Sequence, residues 1–136
     1  MPDCLFCSII KGDIPSHKIY EDDETYAFLD IFPVSRGHLL VIPKEHAENI
    51  TEGSHAAAIA IMRTVHHIAP KIMAVLGASG YNLGMNHGVD AGQEVFHTHM
   101  HIMPRYKGVT RAFEKTKPEQ SELKEIADII RSGLLS

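Results

Sequence analysis

At 136 residues the chain is long enough to bury one hydrophobic core without staples, and it reads as a single domain spanning residues 1–136. An apolar share of 44% with 22% charged residues excludes a disordered or fibrous chain. A net charge of -4 with scattered lysines and arginines excludes a polyanion-binding surface, so no nucleic-acid partner is expected.

The opening Met1-Pro2-Asp3-Cys4 carries no basic stretch leading into an apolar segment, and no later run approaches a membrane span. A cytoplasmic protein with no membrane partner is therefore expected. The two cysteines, Cys4 and Cys7, form a Cys-x-x-Cys pair that points to metal binding or redox chemistry more than to a disulfide. Cys4 to Lys11 places Ile9 and Ile10 ahead of Gly12 and predicts one or two helical turns ended by a glycine cap. His17 to Tyr20 and Thr25 to Leu29 flank the turn Glu21-Asp22-Asp23-Glu24 and predict an antiparallel hairpin. Leu39 to Ile42, bounded by Gly37 and Pro43, predicts another strand. From about Glu52 to Leu76, apolar residues recur at helical spacing through Ile59, Met62, Val65, Ala69, Ile72, Met73 and Leu76. Pro70 inside this run is expected to kink the helix or to end its first part. Tyr81 to Asn86 and Val95 to Met103 predict two strands that pair with each other across the turn-rich residues 87–92. Thr116-Lys117-Pro118-Glu119 reads as a helix start with a capping box. Leu123, Ile126 and Ile130 then form a stripe ahead of Gly133, so a terminal helix over about 116–133 packs on the sheet. The fold class is α+β, built on a mainly antiparallel sheet with one long helix and a C-terminal helix.

Of the ten histidines, three alternate in Phe96-His97-Thr98-His99-Met100-His101-Ile102-Met103. On a strand, His97, His99 and His101 project to one face, while Phe96, Thr98, Met100 and Ile102 project to the other, which is mostly core. Packing alone does not select three histidines on one face. A solvated edge strand is the plainest account, and a shared metal is a second, since histidines two apart on a strand suit a zinc hydrolase. A rise of about 3.3 Å per residue separates His97 from His101 by about 13 Å, too far for one ion to take all three rings. A third account makes the central imidazole a nucleophile, with one nitrogen unprotonated and the other donating to a fixed acceptor. Flanking histidines that donate to phosphate oxygens suit nucleotidyl chemistry. The loop from Asn86 to Val95 carries Gly88 and Gly92, whose backbone is expected to expose N–H groups as an anion nest.

His97 to Met103 resembles the His-φ-His-φ-His-φ-φ motif of the histidine-triad (HIT) family, and the resemblance runs from Cys4 to Arg105. Ile14-Pro15, Glu21-Asp22-Asp23, Phe28 to Ile31 and Gly37 to Lys44 follow the family in order. The resemblance implies a domain that dimerises into a continuous sheet and acts on a purine nucleotide conjugate through a nucleotidyl-histidine intermediate, either a phosphoramidate or a dinucleoside polyphosphate. A nucleotidyltransferase and a nucleotide-binding adaptor with little turnover are the alternatives. By position His99 is the nucleophile, His101 binds the transferring phosphate, His38 belongs to a supporting hydrogen-bond chain and His97 orients the triad strand. Asp30 matches the ribose-binding residue, Asn86 and Gln93 the amides near the phosphates, and Val95 adjoins them. Phe6, Ile9, Ile14, Phe28, Ile31 and Leu40 fall in or near the base pocket, although each serves equally as core. Glu94 departs from the pattern, standing where better-studied branches have serine or threonine. It either points away from the phosphate or helps to protonate a leaving group.

Cys4 and Cys7 can present two thiolates to one tetrahedral ion, with His46 and His97 brought in by neighbouring strands. Some bacterial members of the family use these four positions for structural zinc; redox use of the cysteines is the rival. A homodimer follows mainly from the resemblance, and the small residues of Ala56 to Met62 suit close approach of a second helix.

Overall fold

The computed structural model describes residues 4–135, so Met1 to Asp3, read above for a leader, lie outside it. Five antiparallel strands form one sheet in the order β1-β2-β3-β5-β4, from β1 (Lys18–Glu21), β2 (Thr25–Leu29), β3 (Leu39–Pro43), β4 (Gly80–Gly84) and β5 (Met100–Arg105). Three α-helices accompany it: α1 (Leu5–Lys11), α2 (His55–Leu76) and α3 (Gln120–Leu134).

The strand alternation splits the interior in two. Ala27, Leu29, Leu39, Val41 and Ile102 face α2 and α3, meeting Ile61, Val65, Ile68 and Ile72. On the other face Tyr26, Phe28, Leu40 and Ile42 pack under α1 through Phe6 and Ile9. Every residue of β3 is buried because both of its faces are covered, which explains its unbroken apolar run. Register sets one row across this second face: Phe28 opposite Leu40, Leu40 opposite His101, and His101 opposite Gly84.

Local chemistry accounts for the helix ends. The Cys4 thiol caps α1 by accepting from the Cys7 N–H at 3.3 Å, and Gly12, at φ 86°, closes it with its N–H on the Ile9 carbonyl. Ser54 caps α2 by accepting from the Ala57 N–H, so the helix begins three residues after the expected Glu52. Pro70 neither ends nor divides α2. It lies on the exposed side, where the carbonyl one turn back that loses its partner can bond water. By length and mean hydropathy, 1.2, α2 has the dimensions of a membrane span, against the expectation that no run approaches one. Its buried face is committed to the sheet and α3.

Other expectations are corrected. The histidine strand begins only at Met100, because the Thr98 N–H bonds the Ala47 carbonyl instead of a neighbouring strand, and Phe96 is exposed rather than core. The strand predicted over Tyr81 to Asn86 ends at Gly84. No capping box opens α3: Thr116 gives its N–H and hydroxyl to the Pro33 carbonyl, and the helix starts four residues later without a side-chain cap. That helix packs against α2 and edge strand β1. Gly133 does not end it either but lies inside it, where an added Cβ would come 2.7 Å from Val75 Cβ.

Alanine for glycine normally stabilises a helix by about 1 kcal/mol. Here the Val75 contact reverses the sign: Gly133→Ala is expected to destabilise by about 1–3 kcal/mol, read as a lower urea midpoint. A raised midpoint would refute the close approach of α2 and α3.

Candidate active site

A cavity of about 550 Å³ opens over the row containing His101. His38, His99 and His101 line it together with Asp30, Asn86, Glu94 and Val95. Phe6, Ile9, Ile14, Phe28, Ile31 and Leu40 form its apolar walls. Two of the expected residues are not on its lining: His97 and Gln93.

Backbone partners settle the tautomers, since a carbonyl can only accept and an N–H can only donate. His99 Nδ1 lies 2.7 Å from the His97 carbonyl, so Nδ1 carries the proton and Nε2 keeps its lone pair. The Val34 N–H donates to His38 Nδ1 at 3.1 Å, which puts the His38 proton on Nε2. His38 Nε2 then donates to His101 Nδ1 at 2.9 Å, leaving His101 with a proton on Nε2. The result is one ring with a free lone pair beside one with a free donor, their centroids 5.1 Å apart. Burial pushes His38, His99 and His101 below the ordinary imidazole range, His101 to about 4, so all three are neutral near pH 7. The Asp30 carboxylate sits 3.5 Å from His38 Nε2 and accepts the Phe32 N–H at 2.8 Å through its other oxygen.

The glycine loop does not form the expected anion nest. The N–H groups of Ala91, Gly92 and Gln93 turn back onto the carbonyls of Gly88 and Val89, and the Gly88 N–H bonds Gln93 Oε1. Gln93 is buried, its amide committed to Gly88 and to the carbonyls of Glu48 and Val95; it braces the loop instead of facing the cavity. Asn86 donates to the Gly92 carbonyl across the same loop. Glu94 projects into solvent and pairs with Lys115 at 2.7 Å, a contact that lowers its carboxyl below the usual range and makes it no proton donor near neutrality.

His97 has a different position from its triad neighbours. Fully buried, it donates from Nε2 to the Pro43 carbonyl at 2.8 Å and presents Nδ1 to Cys4 Sγ at 3.4 Å, Cys7 Sγ at 3.6 Å and His46 Nδ1 at 3.2 Å. Cys7 Sγ lies 3.3 Å from His46 Nδ1. Ligands on one tetrahedral zinc stand about 3.3 Å apart for two nitrogens and about 3.6 Å for sulfur and nitrogen. The four ligand atoms therefore have the spacing of a shell that could hold a metal. Asp30, His38 and His101 also bring ligand atoms together, but their imidazole nitrogens, 2.9 Å apart, are already joined by a hydrogen bond.

Sequence reasoning missed Phe113 and Lys115, which reach the cavity from residues 106–119. That segment has no hydrophobic period and no motif. Its placement comes from Arg105, which donates to the Ala112 carbonyl at 2.7 Å and stacks over Phe113 at 4.8 Å.

The chain belongs to the HIT family, whose domain matches residues 11–108. Adenosine 5'-monophosphoramidase hnt1 of Schizosaccharomyces pombe is 45% identical over 102 residues, 75% of this chain and 74% of that protein. Adenylylsulfatase HINT3 of Arabidopsis thaliana is 44% identical over 103 residues, 76% of this chain but 52% of that longer protein. A Zn-bound histidine triad family protein from Mycobacterium smegmatis superposes with a TM-score of 0.89 at 36% identity, covering 98% of this chain and 94% of that one.

A buried imidazole with a depressed pKa binds its proton more readily when unfolded. For His101 this contribution to stability is complete above about pH 6.5 and is lost as the pH falls toward about 4, and for His38 and His99 it is lost in the same direction. Between about pH 6.5 and pH 5 the unfolding free energy is expected to drop by up to about 1.4 kcal/mol per pH unit from His101. Urea denaturation across that interval checks this, and a flat profile would show that the rings are not held neutral.

Proposed function

We propose that this chain hydrolyses a purine nucleotide conjugate at its α-phosphorus through a nucleotidyl intermediate on His99. The observation that carries the reading is the His99 hydrogen bond to the His97 carbonyl, which reserves Nε2 as a lone pair on the cavity wall. The base fits against Phe6, Phe28 and Leu40, and the free Asp30 lone pairs are suited to the ribose hydroxyls. His101 donates from Nε2 to a nonbridging phosphate oxygen, a bond that strengthens as charge builds in the transition state.

In the first step His99 Nε2 bonds to phosphorus while the bond to the leaving group breaks and its electron pair departs with that group. An amine leaves with a proton drawn from water; a strongly acidic oxyanion needs none. The His99 imidazolium so formed is steadied by the His97 carbonyl. In the second step water attacks phosphorus, the N–P electron pair returns to Nε2, and the water proton passes to solvent. The two named relatives, an adenosine monophosphoramidase and an adenylylsulfatase, support this class of substrate.

The four-residue cluster is proposed as a structural zinc site, its shell complete with Cys4, Cys7, His46 and His97. Zinc there would supply a crosslink between α1, the loop after β3 and the segment that carries the His97 carbonyl. Burial and the nearby Cys4 push the Cys7 thiol up, and a cation would relieve that cost. A homodimer with its sheet continued across β4 is also proposed: β4 is an edge strand exposing Tyr81 and Leu83, while α2 exposes Ile59 and Met62.

His99→Gly is expected to lower kcat with an adenylyl phosphoramidate by about 1000-fold or more while nucleotide binding persists. Rapidly quenched wild-type enzyme should carry a nucleotidyl group on His99. Turnover by His99→Gly near the wild-type rate would refute the mechanism. Protein purified without added metal should contain about one zinc per chain, and chelation should lower the melting temperature more than it lowers the rate of the surviving folded enzyme. Metal-free protein whose stability is unchanged by Cys4→Ser would rule out the zinc.

A further inference from the structure

The named relatives split different bonds, one releasing an amine and the other a sulfate, so the leaving group is the open variable of the proposed reaction. Among the described residues that line the cavity, the carboxylates are Asp30 and Glu94, and Lys115 is the one lysine or arginine. His38 and His101, held neutral by burial, add no cation near pH 7. The loop before the triad spends several of its N–H groups on its own carbonyls. Arg105 and Arg111 stand behind Phe113, outside the lining, so Lys115 is the basic side chain that an oxyanion departing into this cavity can meet directly.

Lys115 is held in place by its neighbours. Thr116, next in sequence, bonds the Pro33 carbonyl at 2.9 Å through its N–H and at 2.7 Å through its hydroxyl. Upstream, Arg105 donates to Asn82 Oδ1 at 2.8 Å and to the Ala112 carbonyl, and its guanidinium lies over Phe113. Tyr106 donates to the Arg36 carbonyl. The segment is fastened at both ends, with Lys115 at its cavity edge. The partner of Lys115 is Glu94, and both side chains of this pair are more than half exposed. Exposed pairs of this kind contribute little to stability, so the ammonium can change partners at small cost. Burial is the main cause that keeps His38 and His101 neutral, and the Lys115 charge adds to it as a lesser contribution, alongside Arg105 at His38.

We propose that Lys115 is a specificity-determining residue that favours nucleotide conjugates whose leaving group departs as an oxyanion, sulfate or phosphate, over those that release an amine. The inference rests on the hydrolase reading above. His99 Nε2 bonds to phosphorus, the P–O bond breaks, and its electron pair stays on the leaving oxygen, whose charge Lys115 meets without giving up a proton. Glu94 holds the ammonium at the mouth until that charge appears. An amine leaving group carries no such charge and gains less from Lys115.

The test compares kcat/KM for adenosine 5'-phosphosulfate with kcat/KM for adenosine 5'-phosphoramidate in wild type, Lys115→Met and Lys115→Arg. Lys115→Met is expected to lower the sulfate-to-amide ratio about tenfold or more, and Lys115→Arg to keep it within about threefold of wild type. An unchanged ratio in Lys115→Met overturns the proposal, including the case in which both rates fall together, because Lys115 would then serve only the shared phosphate. So does a ratio that falls as far in Lys115→Arg as in Lys115→Met. Wild-type failure to cleave either compound, or full activity of His99→Gly, would instead overturn the hydrolase reading and the proposal with it. A ratio lowered in Lys115→Met and kept in Lys115→Arg, with His99 still essential, supports both, and a raised ratio in Lys115→Met overturns the proposal.

Discussion

The His97 side chain donates from Nε2 to the Pro43 carbonyl, and much of the site follows from that bond. It ties the end of β3 to the segment entering β5, and it forces the lone pair onto Nδ1, the atom that faces both thiols and His46. It also holds the His97 backbone, whose carbonyl accepts the His99 proton. One buried imidazole thus joins the metal-type cluster to His99. A neutral ring this deep in the protein is retained only because each of its polar atoms has a partner.

The second chain of hydrogen bonds starts from the Val34 N–H and runs through His38 to His101. The two chains produce opposite tautomers in adjacent rings, a lone pair on His99 and a donor on His101. That asymmetry suits the proposed nucleotidyl transfer, in which the attacking atom needs electrons and the phosphate oxygen needs a proton donor. Burial reinforces it by keeping both rings neutral, and the apolar walls from α1, β2 and β3 maintain that low-dielectric setting.

The sheet divides the molecule into a closely packed side and a side that holds the cavity. Toward α2 and α3 the interior is closely packed, with Gly133 admitting Val75 so that the two helices meet. On the opposite face α1 covers only part of the sheet, and the cavity occupies the remainder, bounded by the segment that carries Phe113 and Lys115. Charge is sparse on its lining, where Asp30, Glu94 and Lys115 are the charged side chains among the described residues.

Motifs and periodicity determined the helices α1 and α2, the β1–β2 hairpin and the β4–β5 pairing, because each depends on short-range pattern and on strand alternation. The histidine alternation was legible in the same way, whereas His38, Asp30 and the apolar residues around them came from the resemblance to the HIT family, and all of them lie on the cavity lining with His99 and His101. Only the tertiary structure decided that His97 turns away from the reactive pair, since that depends on a carbonyl 54 residues away at Pro43. It also decided that Gln93 braces the loop, that the loop amides are already bonded, that Glu94 pairs outward and that Lys115 joins the cavity. These facts rest on where individual donors find acceptors across the fold, and hydrogen bonds between distant residues leave no period in a sequence.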